Sequence, residues 1–182
     1  MKVLGIATSP RKGNSQAIVE AVLEGAKKAG ADTEMVRLTD REINPCKGCG
    51  FCKENPTCVQ KDGMVEIYPK ITGADAIVIG SPVYFARMNA PAYALIDRMW
   101  ALINGDFSPK IPQGKKFALA LTSNSCGDEV FSPIYEYMKQ TMSLFGIKEA
   151  GYIWQNHCLK PDDIKNFPEK IEEAKEFGKK LI

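Results

Sequence analysis

The sequence has few of the features that mark membrane, secreted or nucleic-acid-binding proteins. None of its apolar runs approaches the ~20 residues that span a bilayer. The 24 Lys and Arg nearly balance the 22 Asp and Glu, so the net charge is +2, whereas a nucleic-acid-binding domain normally carries a strong basic excess. The N-terminus has neither the apolar core nor the small-residue cleavage site of a signal peptide. We therefore expect a cytoplasmic protein that binds neither nucleic acid nor membrane.

The sequence also has little that suggests acid–base catalysis or nucleotide triphosphate binding. His157 is the single histidine, and a lone histidine after a last strand is more typical of a structural or exposed residue. The pattern contains no acid–base dyad, so we predict no catalytic side chain. It also contains neither G-x-G-x-x-G nor G-x-x-x-x-G-K-[ST], which disfavours dinucleotide and P-loop triphosphate sites.

Apolar runs and helical periodicity alternate along the chain. The sequence predicts strands at residues 2–8, 33–38, 76–80, 116–122 and 148–154. It predicts helices at about 17–30, 65–72, 90–103, 132–145 and 162–181. Residues 40–65 have no periodicity and form a predicted insertion loop after the second strand. Such alternation predicts an α/β fold, a flavodoxin-like doubly wound parallel sheet of five strands in the order 2-1-3-4-5. We expect residues 1–182 to form one domain.

Three polar loops follow predicted strands, and ligands of doubly wound sheets bind at the carboxyl ends of the strands. The first loop runs into a helix N-terminus, where unpaired N–H groups and the helix dipole favour an anion. Arg11 adds a guanidinium suited to phosphate, and Gly13 permits the tight turn. The pattern fits a single monophosphate, although a capped helix with an incidental arginine would look similar. The candidate residues of this loop are Ser9, Arg11, Gly13, Asn14, Ser15 and Gln16.

The second and third loops provide groups for a flat ring. Tyr84 and Phe85 are candidates to lie against the ring, although aromatic residues at strand ends also commonly pack in a core. The third loop supplies small polar groups for the far side of the ring. The remaining candidates are Pro82, Val83, Asn89, Thr122, Ser123 and Asn124. A monophosphate beside a flat ring at this place in the sheet predicts FMN.

Four of the six cysteines lie within the predicted insertion loop, as Cys46-x2-Cys49-x2-Cys52-x5-Cys58. Structural zinc usually uses two C-x-x-C pairs that are separated by a longer spacer. The compact C-x-x-C-x-x-C run is similar to the ferredoxin pattern, which favours one [4Fe–4S] cluster held by all four thiolates. Zinc, a redox disulfide and a motif without cofactor remain alternatives. Cys126, in the third loop, is either a reactive thiol or a small turn residue, and Cys158 is expected to be structural.

The motifs S-P-R-x-x-N-S and G-S-P-V-Y-F resemble those of the NAD(P)H-dependent FMN reductases, within the flavodoxin-like superfamily, over nearly the whole chain. With the cysteine motif added, the chain resembles the iron–sulfur flavoproteins of anaerobic archaea and bacteria. That resemblance implies FMN, one [4Fe–4S] cluster, a homodimer or homotetramer, and a ferredoxin-like electron donor. It implies a protein that passes single electrons through the cluster to FMN.

Two alternative functions remain open at this point. One is an NAD(P)H-dependent FMN or quinone reductase in which the cysteine loop is structural. The other is a binding or regulatory protein that carries a zinc loop on a flavodoxin-like frame.

Overall fold

A central parallel sheet organises the molecule. The computed structural model describes residues 1–125 and 127–182. The strands are β1 (Lys2–Ala7), β2 (Asp32–Arg37), β3 (Ala76–Tyr84), β4 (Arg87–Met88), β5 (Lys116–Thr122) and β6 (Lys148–Gln155). The α-helices are α1 (Asn14–Lys28), α2 (Phe51–Glu54), α3 (Met64–Gly73), α4 (Ala90–Met99), α5 (Phe131–Ser143) and α6 (Pro168–Lys180).

The strand order is β2-β1-β3-β5-β6, and all neighbours on this path are parallel. This is the predicted doubly wound order, because the additional strand β4 only forms a short antiparallel hairpin with β3. The five-stranded flavodoxin-like prediction is therefore confirmed, with one small strand added.

Each face of the sheet is covered by its own layer of helices. Helices α3, α4 and α5 bury Ile67, Leu95 and Met138 against one face. Helices α1 and α6 bury Val22 and Ala174 against the other. Both faces of the central strands are consequently buried, which explains their uninterrupted apolar sequences. None of the helices in the described part of the chain is long and apolar enough to cross a membrane.

The largest correction concerns β3, which was predicted to end at residue 80 and to be followed by a loop from Ser81. The strand continues to Tyr84. Pro82 lies within the extension, but it removes no ladder hydrogen bond here. Thr8 donates its N–H to the carbonyl of Gly80, so the backbone polar groups of Gly80 face β1. Every second residue of a strand faces the same neighbour, so the backbone nitrogen of Pro82 also faces the side of β1. On that side β1 has already ended at Ala7.

Two predicted helices are shorter than expected, and the insertion contains a helical turn. A 3-10 turn (Trp100–Leu102) ends the segment predicted as a helix over residues 90–103. The predicted helix over residues 162–181 divides into a 3-10 turn (Asp163–Asn166) and α6. Pro168 explains that division, because a proline disfavours helical backbone at the residue before it. Within residues 40–65, predicted to lack structure, α2 forms one turn.

Candidate functional site

A pocket of about 220 Å³ opens at the carboxyl ends of β1, β3 and β5. This is the switch point of the sheet, where the chain leaves neighbouring strands in opposite directions. Residues from all three predicted loops meet there. The lining consists of Ser9, Arg11, Gly13, Asn14, Ser15, Pro82, Val83, Tyr84, Thr122, Ser123, Asn124, Cys158, Leu159 and Pro161. Eleven of the fourteen residues predicted from the sequence to bind a cofactor are therefore among its lining residues.

The first loop brings the N-terminus of α1 to this pocket. Asn14 and Ser15 begin the helix and are buried, and the first N–H groups of a helix have no partner within it. Gly13 lies so close to the wall opposite that an added Cβ would be 3.0 Å from the carbonyl oxygen of Pro161. Glycine therefore permits a close approach of two backbone segments there.

The segment after β6 forms a wall of the pocket that the sequence did not predict. Arg11 Nη2 donates to the carbonyl of Leu159 at 3.2 Å, and Asn14 Nδ2 donates to that of Lys160 at 2.7 Å. Asn14 Oδ1 also accepts from the N–H of Ile164 at 3.0 Å. The side chain of Asn14 thus connects α1 to this wall. The available signal was the position of residues 158–161, which follow a strand at the same edge of the sheet as the other three loops.

The hairpin of β3 and β4 forms the rim of the pocket. Phe85 and Ala86 make its turn with positive φ angles of 50° and 58°, which is uncommon for residues other than glycine. Tyr84 lines the pocket, whereas Phe85 is 97% exposed at the tip of the hairpin. Neither aromatic ring is therefore part of the buried core, which was the alternative interpretation of the sequence.

Two other predicted residues do not line the pocket. Asn89 is buried, and its side chain donates to the carbonyl of Thr8 at 2.8 Å and caps α4 by accepting from the N–H of Ala92. Gln16 bonds Glu20 and Arg37 beside the first turn of α1. Both residues support the loops without lining the pocket.

The third loop is joined to the chain that follows β6. Ser123 Oγ donates to Asn156 Oδ1, and the carbonyl of Ser123 accepts from the N–H of Cys158 at 2.8 Å. Burial is the main reason why the pKa of the Cys158 thiol is raised to about 11, and the nearby Asp163 contributes. A neutral, buried thiol fits the structural role expected of it. His157 is exposed, with a positive φ of 58°. Cys126, considered as a reactive thiol, lies outside the described residues.

The four clustered cysteines lie on the segment between β2 and α3. Cys46 and Cys49 are exposed, Cys58 is half-buried and Cys52 is buried. Among the described residues no three cysteine, histidine or carboxylate side chains are grouped closely enough to hold a metal ion. The chemistry of the four cysteines nevertheless fits an iron–sulfur cluster, since one short segment offers four thiols. Gly48 and Gly50 have positive φ angles of 63° and 73°, and the space where a Cβ would stand is open at both.

Three cations fasten the cysteine segment to the rest of the fold. Lys53 Nζ donates to the carbonyls of Trp100 and Ile103, each at 2.8 Å, and lies over the indole ring of Trp100. Lys110 Nζ donates to the carbonyl of Cys52 and, at 2.9 Å, to that of Asn55. Arg98 is the third cation and approaches Cys58. These cations place N–H donors close to the segment, and Asp62 balances the charge of Arg98.

Comparison with known protein families matches residues 1–130 to the NADPH-dependent FMN reductases. The chain belongs to this family. The match covers the first two pocket loops, the whole cysteine segment and the third loop. The wall at residues 158–161 lies beyond the matched region.

Within the FMN reductase family, the chain belongs with the iron–sulfur flavoproteins. It is 39% identical to an iron–sulfur flavoprotein of Archaeoglobus fulgidus over 197 aligned positions, which cover 100% of this chain and 94% of the relative. It is 35% identical to another of Methanocaldococcus jannaschii over 185 positions, covering 100% and 95%. A third, from Methanosarcina thermophila, is 37% identical over 139 positions, covering 76% and 73%.

Solved structures with low sequence identity to this chain share its fold. An NAD(P)H:quinone oxidoreductase from Methanothermobacter marburgensis superposes with a TM-score of 0.77 at 18% identity, covering 100% of this chain and 99% of the other. A flavodoxin from the domain Archaea gives 0.58 at 19% identity, covering 100% and 96%. Together with the family match, these findings identify the chain as an FMN flavoprotein of the oxidoreductase class.

Proposed function

We propose that the pocket at the strand ends binds FMN through its phosphate. The observation that carries this proposal is the convergence of the α1 N-terminus and the exposed guanidinium of Arg11 on one pocket. Helix N–H groups and an arginine together provide donors and positive charge for a phosphate. The binding residues proposed are those predicted from the sequence: Ser9, Arg11, Gly13, Asn14, Ser15, Gln16, Pro82, Val83, Tyr84, Phe85, Asn89, Thr122, Ser123 and Asn124. Gln16 and Asn89 would act by holding the loops.

The size of the pocket indicates which part of the cofactor it would enclose. At about 220 Å³ it is smaller than the roughly 300–1,000 Å³ typical of sites that enclose a whole ligand. The phosphate and its chain would lie inside, and the flat ring would lie at the rim beside Tyr84 and Phe85. The ring supplies the redox chemistry, since FMN exchanges electrons with other centres and with nicotinamide cofactors.

We infer that Cys46, Cys49, Cys52 and Cys58 hold one [4Fe–4S] cluster. The donor set, the open backbone at Gly48 and Gly50, and the surrounding cations support this inference. Three relatives that are 35–39% identical also support it, because each is named an iron–sulfur flavoprotein. The four thiolates would bind the irons, and the cluster would supply one-electron transfer.

The function proposed is electron transfer. The chain would accept single electrons from a ferredoxin-like donor through the cluster and deliver them to FMN. Cys46 and Cys49 are exposed, so an external donor protein can approach this segment. We further propose that residues 1–182 form one domain, with residues 40–65 as its cysteine-rich insertion, and that the chain assembles as a homodimer or homotetramer. Exposed apolar side chains near the cysteine segment, Trp100 and Leu144, support an assembly.

A second candidate is an NAD(P)H-dependent FMN or quinone reductase with a structural cysteine loop. The family match favours it, because the matched family is described as NADPH-dependent. The two candidates differ in what reduces the flavin. NADPH would bleach the visible flavin band of iron-free protein if the second candidate is right.

The deciding experiment is measurement of iron, acid-labile sulfide, zinc and FMN in protein purified without oxygen. About four irons, four sulfides and one FMN per chain are expected, as a [4Fe–4S] centre requires. One FMN without iron would favour the reductase, and zinc without flavin would favour a regulatory zinc-loop protein.

Replacement of one cysteine tests whether the two sites are independent. Cys49→Ser should abolish the iron and sulfide while FMN content stays near one per chain, because Cys49 is outside the lining of the pocket. Lys47→Ser is the matched control, since it alters the same segment without removing a thiol. Loss of FMN from Cys49→Ser, but not from the control, would show that the cysteine segment helps to build the flavin site.

A further inference from the structure

Arg98 is a buried cation on α4 that faces the cysteine segment. Its side chain is 1% exposed and forms an ion pair with Asp62, whose side chain is 7% exposed. Nη2 donates to Asp62 Oδ1 at 3.0 Å, and Nη1 donates to Asp62 Oδ2 and, at 2.8 Å, to the carbonyl of Asn44. A bidentate pair of this kind fixes the plane and the direction of the guanidinium.

The same guanidinium also points at a sulfur. Nη2 lies 3.6 Å from Cys58 Sγ, within the range of an N–H···S hydrogen bond. Nε is buried and has no hydrogen-bond partner among the described residues. Buried polar groups normally have partners, so this N–H is free to donate to a group that binds next to it.

Arg98 differs in this respect from the other cations near the segment. Lys53 and Lys110 donate to backbone carbonyls, which fastens the segment but leaves the sulfurs alone. Arg98 donates to backbone as well, but it also reaches a cysteine sulfur. Replacement of a buried ion pair by apolar side chains is often neutral or stabilising, so stability alone is a weak explanation of the pair.

We propose that Arg98 is a positioning residue of the cysteine site: it orients Cys58 through Nη2 and directs Nε toward the group bound by the cysteines. The proposal rests on the proposed function, namely that the four cysteines hold a [4Fe–4S] cluster. Reduction adds one electron, and hydrogen bonds to the sulfurs stabilise the more negative state. Arg98 therefore raises the reduction potential of the cluster. Because Asp62 balances the charge, the effect comes from the directed N–H groups.

Two variants and one control test the proposal. Arg98→Met alone would leave the buried Asp62 carboxylate without its cationic partner, although the N–H groups of Asn44 and Met64 would still donate to it, so it is combined with Asp62→Asn. Arg98→Lys keeps the ion pair but lacks the planar fork that reaches Asp62 and Cys58 together. Arg41→Met is the control: it removes one exposed-pair cation from the beginning of the same insertion, where Arg41 pairs with the exposed Glu66. The measurements are the midpoint potential, the iron and sulfide content, and the melting temperature of metal-free protein.

At the wild-type midpoint potential, we expect the ratio of reduced to oxidised cluster to fall about tenfold in the double variant. This corresponds to a shift of about 59 mV for a one-electron centre. Arg98→Lys should shift in the same direction, and Arg41→Met should not shift. Loss of the cluster from both Arg98 variants, with metal-free melting and FMN binding retained, would also support the proposal.

Three results would overturn the proposal. One is an unchanged potential in the double variant at full iron content. If the double variant loses its cluster, an unchanged potential in Arg98→Lys decides against the proposal. Failure of both metal-free variants to fold would assign Arg98 a structural role only. Absence of iron from the wild-type protein would instead refute the proposed function, so the two failures are distinguishable.

Discussion

At the scale of single residues, Asn89 shows that a residue predicted to bind the cofactor can instead hold loops together. The sequence places it in a loop beside a predicted ring site. In the structure its side-chain amide donates to the carbonyl of Thr8 and accepts from the hydroxyl of Ser81 and from the first turn of α4. An asparagine before a helix can contact a ligand or cap the helix, and only the fold decides which of the two it does.

We expect Asn89→Ala to lower the free energy of unfolding by about 2–3 kcal/mol, because a helix cap and a buried hydrogen bond are lost together. Urea unfolding of the cofactor-free protein measures this. Asn89→Asp is the informative partner variant, since it keeps the cap acceptor but loses the N–H that is donated to Thr8. A loss below 0.5 kcal/mol in Asn89→Ala, on the order of an ordinary surface substitution, would contradict the assigned role.

Cys158 provides a second prediction at this scale, and it concerns pH. Burial, with help from Asp163, raises the pKa of Cys158 to about 11, and alkylation requires the thiolate. In protein free of metal and FMN, iodoacetamide should therefore modify the exposed Cys46 and Cys49 first. Modification of Cys158 should become faster as the pH rises toward about 11. Mass spectrometry of quenched samples gives the rate at each site, with urea-unfolded protein as the control. Equal rates of modification at Cys46 and Cys158 at pH 8 would refute this prediction.

At the scale of elements, the contact of α1 with α6 depends on glycine. A Cβ on Gly25 would lie 1.9 Å from the carbonyl oxygen of Lys175, and one on Gly178 would lie 2.0 Å from that of Val22. The two helices therefore cross with their backbones in direct contact. Both glycines occur within helical patterns, where glycine is otherwise unfavourable, so the sequence contained a signal of close packing.

We expect Gly25→Ala to destabilise the protein by about 1–3 kcal/mol or more, because the backbone of α6 has to move away. Gly73→Ala is the matched control: an added Cβ at the end of α3 has no neighbouring atom within 4 Å, and its φ is not positive. The control should be neutral or slightly stabilising, by up to about 1 kcal/mol. Chemical unfolding of both variants compares them directly, and equal stabilities would mean that α6 adjusts without cost.

At the scale of the whole molecule, the pocket joins distant parts of the chain. Arg11 and Asn14 bond the segment at residues 159–164, almost 150 positions away. A ligand that touches both segments binds the folded chain only. Binding of FMN should consequently be coupled to global stability.

We expect FMN at 100 times its dissociation constant to raise the free energy of unfolding by about 2.7 kcal/mol. Arg11→Ala should reduce this gain at the same FMN concentration, because one charge-assisted contact to a phosphate contributes roughly 1.5–3 kcal/mol. Lys12→Ala, which removes the neighbouring exposed charge, serves as the control. Thermal unfolding with and without FMN measures the gain. An equal gain in Arg11→Ala and wild type would mean that the backbone amides hold the phosphate alone.

Much of the fold could be read from the sequence because its signals are local. The apolar strands, the helical periodicity and their alternation determined the parallel sheet and its order, which the structure confirms. The same local patterns placed three loops at the carboxyl ends of the strands. The cysteine spacing and the S-P-R and G-S-P-V-Y-F motifs determined the family. The extension of β3 through Pro82 was missed because the cost of a proline depends on which side of the strand has a partner.

Only the tertiary structure decided which distant residues meet. It added Cys158, Leu159 and Pro161 to the pocket, because the end of β6 lies beside loops that are far away in sequence. It also turned Asn89 and Gln16 away from the pocket, and it brought Arg98 of α4 to Cys58. Local patterns record the preferences of neighbouring residues, whereas contacts across 21 to 150 positions depend on how the elements pack, and packing belongs to the folded chain as a whole.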